Sequence, residues 1–180
     1  MKKIILFITI FTFISCGTYT KTIVKKAGIS KKSTKKNLVG IVDKNSFMQV
    51  PYQNWFNKNF TNYKIDEISV AGIKKNLNGV TIKGFMGTWC GDSRRETPRF
   101  YKIMETAGFN FKKLELITVN HSKRTPNNLQ KGFNIIRVPT FIFYRKGIEI
   151  GRYVEHPRES LEKDIYKIIS GQPYKHSYDK

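Results

Sequence analysis

Acidic residues are scarce in this chain: 13 Asp and Glu stand against 33 Lys and Arg in 180 residues, a formal charge of +20. Such an imbalance favours anionic surroundings. No nucleic-acid-binding motif accompanies it, so solvated lysine faces account for the charge and nucleic acid is not an expected partner. Cysteine is nearly missing as well. With only Cys16 and Cys90 the chain cannot be a disulfide-stapled scaffold, and at most one bridge is available to it. The three histidines, His121, His156 and His176, lie far apart without ligand spacing, which argues against a metal centre. There is no apolar run long enough to cross a bilayer as a stable helix, since the stretch from Ile4 to Ile14 ends in small residues instead of a stop-transfer cluster. Internal repeats are missing too. What remains, 39% hydrophobic and 13% aromatic, suffices for one core of ordinary size and no second folded domain.

The N-terminus is informative. Met1-Lys2-Lys3, the apolar run and Ser15-Cys16-Gly17 have the outline of a secretory signal over residues 1–15. Phe13-Ile14-Ser15-Cys16 also resembles the lipobox of bacterial lipoproteins, with phenylalanine where leucine is usual three residues before the cysteine. The resemblance implies lipid attachment at Cys16, which then becomes the mature N-terminus of an exported, membrane-anchored lipoprotein of the cell envelope, facing the periplasm if the source is Gram-negative. A free cysteine beside an ordinary cleavage site is the alternative. If Cys16 carries lipid, Cys90 is the only thiol of the mature chain. From Gly17 to Asn37 there are seven lysines and no acid. That pattern marks 16–45 as a basic tether, and each lysine near an anionic bilayer would gain on the order of 1 kcal/mol.

The folded part is expected to begin near Phe47. Pro51, Trp55, Phe56, Phe60 and Tyr63 recur at helical spacing, and a second short helical pattern runs from Ile65 to Leu77, so 46–78 reads as a helical extension. Val80 to Met86 alternates as a strand. Gly87-Thr88-Trp89-Cys90 leads from its end into a helix from about Ser93 to Ala107, and Leu114 to Val119 gives the next strand. After a polar loop, Val138-Pro139-Thr140 opens a strand through Tyr144. Lys146-Gly147 turns it, and Ile148 to Val154 returns antiparallel. A last helix fits Arg158 to Ile169 with Gly171 as its stop, and 171–180 reads as a flexible tail.

A sulfur at the end of a strand where a helix begins is favoured as thiolate by the helix N-terminus and its free N–H groups. Cys90 has that position. Trp89-Cys90-Gly91-Asp92-Ser93 at the strand end, Pro98 eight residues after the cysteine, and Phe133 to Thr140 ahead of a hydrophobic strand together resemble the thioredoxin family. The resemblance covers 79–170. It implies an α/β fold, a central mixed sheet flanked by helices, with Val138-Pro139 as the cis-proline segment beside the nucleophile. Trp89, Gly91, Asp92, Arg94, Val138 and Pro139 would then line the groove for an extended substrate, with Trp89 shielding the sulfur.

Two positions depart from that family. Ser93 stands where a dithiol member carries its resolving cysteine, and serine cannot expel product from a mixed disulfide, so an outside thiol must close each cycle. Gly84 stands six residues before Cys90, where many members bury an acid. In the loop itself, Asp92 opposes the thiolate, whereas Arg94, Arg95 and the helix end favour it, and Ser93 Oγ is expected to donate to it. Cys90 and Ser93 are thus the candidate catalytic pair. The favoured reading is a thiol redox protein of the cell envelope that forms mixed disulfides with exported proteins or small thiols and is served by an external reductant, with no cofactor. Two alternatives remain at this level: a non-catalytic binding module for extended peptides, and glutathione-dependent iron–sulfur binding, as in monothiol glutaredoxins with C-x-x-S loops.

Overall fold

The computed structural model describes residues 37–179. Cys16, the signal segment and most of the basic tether therefore lie outside the described residues. Five strands, β1 (Gly40–Val42), β2 (Val80–Met86), β3 (Leu114–Thr118), β4 (Thr140–Arg145) and β5 (Ile148–Val154), form one mixed sheet in the order β1-β3-β2-β4-β5. The β2–β3 pair is parallel, and β1–β3, β2–β4 and β4–β5 are antiparallel. Four helices accompany the sheet: α1 (Gln53–Asn62), α2 (Glu67–Asn76), α3 (Gly91–Thr106) and α4 (Leu161–Ser170).

The period of two in each strand decides which residues meet the helices. Ile82, Met86, Leu116, Phe141 and Phe143 join Phe56, Ile73, Phe100, Ile103, Leu161 and Ile165 in the larger core. Their strand neighbours Phe85, Ile117 and Ile142 point the other way. With Val119 and Val138 they build a smaller core against Leu129, Phe133 and Ile135 of the connection between β3 and β4. Trp89 and Cys90 pack on this second core. The site thus sits at the C-terminal end of β2, over the small core, and its helix is rooted in the large one.

Local chemistry explains the helix that carries the site. Cys90 is the extended N-cap of α3, and its carbonyl receives the first intrahelical bond, from Arg94 N at 3.1 Å. Pro98 lies inside the helix. Proline has no N–H for the carbonyl four residues back, and the Arg94 carbonyl instead accepts from Asn59 Nδ2 on α1 at 3.2 Å. Helix α4 starts on a Ser160 cap, whose Oγ accepts from Lys163 N, and ends at Gly171 with φ +76°.

Two boundaries differ from the sequence reading. A strand, β1, lies inside the stretch assigned to the tether, and the folded chain begins before Phe47. Leu38 N donates to Thr88 Oγ1 at 3.1 Å, and Thr118 Oγ1 donates to Gly40 O at 3.0 Å. Three strand residues among lysines are too few for alternation to show. The helical extension also shares the large core: Phe47, Phe56 and Val70 pack in one cluster with Phe100 and Ile165, so no packing boundary separates 46–78 from residues 79–170. The second difference is the C-terminus, which is docked where the sequence suggested a flexible tail. Tyr174 packs on the large core and its hydroxyl donates to Asp164 Oδ2 at 3.2 Å. Ser177 Oγ donates to His156 O at 2.8 Å, and the Arg137 guanidinium lies 5.3 Å from the Tyr178 ring centre. The two tyrosines supply anchoring area in an otherwise polar segment.

Candidate functional site

Residues from three elements converge at the end of β2. Cys90 is half-buried, and its Sγ lies 3.2 Å from the Val138 carbonyl oxygen, to which the thiol donates. The Val138–Pro139 peptide is cis, as the sequence implied, and a second cis bond precedes Pro51. Pro139 O in turn accepts from Glu155 N at 2.7 Å, which ties the proline segment to the end of β5. The candidate groove residues Trp89, Val138 and Pro139 are therefore brought to the sulfur, while Ile136 and Arg137 lie exposed just upstream. Gly91 opens α3 with nothing within 4 Å of where a Cβ would be, leaving backbone accessible beside the thiol.

Trp89 is held on both sides. Its Nε1 donates to Val119 O at 2.9 Å, and its ring stacks on His121 at 4.4 Å between centroids. Gly87 lies beneath it, where a Cβ would come within 2.6 Å of the indole. Only glycine leaves the ring its place. His121 thus has an aromatic role that spacing alone did not reveal, and among the described residues no cluster of His, Cys, Asp or Glu could hold a metal ion.

The polar residues of the loop have partners that the sequence reading did not name. Ser93 is fully buried and its Oγ accepts from Gly87 N at 3.1 Å, so its lone pairs brace the preceding turn. Arg94 Nε donates to the Thr88 carbonyl at 2.6 Å, fastening the loop from below. Asp92 does not stand alone: its Oδ1 is 2.6 Å from Arg95 Nη2. Arg95 also reaches Glu96 with its Nε, again at 2.6 Å, and Arg99 Nη1 lies 3.1 Å from the same Glu96 oxygen. Burial pushes the Glu96 carboxyl above the usual glutamate range, and the two arginines pull it the other way. Thr88 and Glu96 were given no role by sequence, His121 was weighed only as a metal ligand, and Arg95 was read as acting on the thiolate instead of on Asp92. Glu96 carried a usable signal, as an acid on the apolar stripe of α3.

At Gly84 the structure explains the missing acid. An added Cβ would meet Leu116 Cδ1 at 2.7 Å and the Phe141 ring at 3.2 Å, so apolar side chains fill that space.

This strand-end cysteine beside a cis-proline agrees with what comparison finds. The family model described as Thioredoxin matches residues 69–167. The chain is similar to a thioredoxin-like protein of Acanthamoeba polyphaga mimivirus, 30% identical over 87 residues, which cover 48% of this chain and 61% of that protein. It is also similar to thioredoxin H2 of Arabidopsis thaliana, 24% identical over 94 residues, or 52% of this chain and 66% of the relative. The chain thus spans just under two thirds of the length of these relatives. In fold it is similar to a protein of unknown function from Pseudomonas aeruginosa, with a TM-score of 0.55 at 13% identity, covering 72% of this chain and 92% of that one. With the matched segment running from α2 into α4 across the whole candidate site, the chain belongs to the thioredoxin family.

Proposed function

We propose that this protein is a monothiol member of its family that exchanges disulfides through Cys90. The observation that supports it most directly is the Cys90 sulfur at the start of α3, 3.2 Å from the carbonyl that precedes cis-Pro139, with a serine at the resolving position. In the step proposed, the Cys90 thiolate attacks one sulfur of a substrate disulfide. The substrate S–S bond breaks, a Cys90–substrate S–S bond forms, and the other substrate sulfur leaves as a thiolate that takes up a proton. A second thiol, supplied from outside, then attacks the mixed disulfide. It bonds to the substrate sulfur, the Cys90–substrate S–S bond breaks, Cys90 leaves as a thiolate that takes up a proton, and the substrate departs disulfide-linked to the external thiol. Extended peptides and small thiols are the substrate class that a half-buried sulfur beside exposed Ile136 and Arg137 would admit.

Incubating the reduced full-length protein with oxidised glutathione, or with a peptide disulfide, is expected to give a covalent adduct visible by intact mass. Cys90→Ser should give none. Peptide binding of equal strength on wild type and Cys90→Ser, without adduct, would overturn exchange in favour of a non-covalent binding module.

Export and lipid attachment at Cys16 belong to the same proposal, on the strength of residues 1–17. Mass spectrometry of detergent-extracted protein should find an N-terminus at Cys16 carrying acyl mass, and an unmodified Cys16 would reject the anchor.

A further inference from the structure

Asp92 poses a problem for the site, because a carboxylate two residues from Cys90 disfavours a neighbouring thiolate. An exposed arginine alone is a weak remedy. Ion pairs at solvent-accessible positions contribute little, since the long side chain loses rotamer freedom to make them, and the Arg95 side chain is 40% exposed. Arg95, however, is held at two points. One edge of its guanidinium meets Asp92, and its Nε meets Glu96, whose side chain is 1% exposed. A carboxylate in that position is costly to bury, and Glu96 Oε2 has no hydrogen-bond partner among the described residues. Its other oxygen meets Arg95 and Arg99. Glu96 itself is fixed from behind, because the Arg99 guanidinium lies over the Tyr63 ring at 4.8 Å and Tyr63 donates to buried Glu162.

We propose that Arg95, anchored by buried Glu96, is a positioning residue that neutralises Asp92 and so keeps that carboxylate from opposing thiolate formation at Cys90; this rests on reading Cys90 as an exchanging thiol. Among the described residues, three further charged or titratable side chains beside the loop have partners of their own. Arg94 is on the Thr88 carbonyl, His121 is stacked on Trp89, and Arg137 is 3.7 Å from Glu155. On the far side of Glu96 the ionisable neighbours are Arg99, Tyr63, Glu162 and, from β5, the buried Tyr153 hydroxyl.

The test is the rate of iodoacetamide alkylation of Cys90 in the folded full-length protein, followed against pH. Arg95→Ala should alkylate about threefold more slowly at pH 7, with its pH midpoint moved upward, since an unpaired anion is left beside the thiol. Glu96→Gln should move the same way by less, because Arg95 loses its rigid support and keeps Asp92 only part of the time. In the Asp92→Asn background, Arg95→Ala should have no such effect. An Arg95→Ala protein that alkylates like wild type, or one equally slowed with Asp92→Asn present, would overturn the proposal. Arg95→Gln gives the same comparison with a side chain of similar length should the alanine variant fold poorly. Alkylation needs no disulfide substrate, so its outcome is separate from that of adduct formation: a protein that forms adducts without this charge dependence loses only the role of Arg95.

Discussion

Replacing Ser93 with cysteine is expected to convert a protein with near-background insulin-reducing activity into one that turns over at least roughly tenfold faster with a dithiol reductant. Ser93 lies one helical turn from Cys90 on α3, and residues three apart on a helix share a face. A sulfur there could attack the Cys90–substrate bond from within the same molecule, which replaces a bimolecular step by an intramolecular one. The substitution has a structural cost, since Ser93 Oγ accepts from Gly87 N and sulfur is the weaker acceptor. That cost should appear as a lower unfolding midpoint, without loss of the fold. Intact mass should show the air-oxidised variant lighter by two hydrogens. If that internal bond forms and insulin reduction stays at background, or if wild type already turns over as fast, the account of Ser93 is wrong.

The largest effect on stability is expected at Gly84. Gly84→Asp introduces the acid found at this position in many family members, but here it should lower stability by about 3 kcal/mol or more. The new Cβ would lie 2.7 Å from Leu116 Cδ1 and 3.2 Å from the Phe141 ring, both fully enclosed. The carboxyl beyond it would enter the larger core at the apolar side chains of Leu116 and Phe141. Overpacking and the burial of a charge act in the same direction, so even Gly84→Ala should be measurably weaker than wild type. Urea unfolding of the three proteins, followed by tryptophan fluorescence, gives the comparison. A Gly84→Asp protein as stable as wild type would mean that Leu116 and Phe141 yield far more readily than their packing indicates. Proton transfer at Cys90, where it occurs, has no counterpart of that buried acid to use, which leaves loop electrostatics and solvent.

The strands and helices from Val80 onward were legible because each carries its own period, and β2 and β5 match the sequence reading at both ends. The meeting of Cys90 with the Val138–Pro139 segment was legible because motif and spacing agree in separate places. The pairings of the loop side chains were not. Whether Asp92 meets a thiol or a guanidinium depends on rotamers that a one-dimensional pattern does not encode, and Arg95 has two acidic neighbours within reach. Ser93 presents the same difficulty, since its acceptance from Gly87 N depends on the shape of the turn at Gly87, which the linear pattern does not give. The anchoring of Tyr174 and Tyr178 was also hidden. Isolated aromatics past the last helix have no period, and their value is set by distant partners such as Asp164 and Arg137.

The bond between Leu38 N and Thr88 Oγ1 settles where the chain enters the fold, and that doorway is two residues from the sulfur. A fluorophore or a second thiol attached at Asn37 itself would thus be a neighbour of the loop. Its encounters with Cys90 would follow an effective concentration set by the length of its linker instead of the amount in solution. Kinetics measured with different groups at that position would therefore describe different local surroundings, even with every residue of the sheet and helices unchanged.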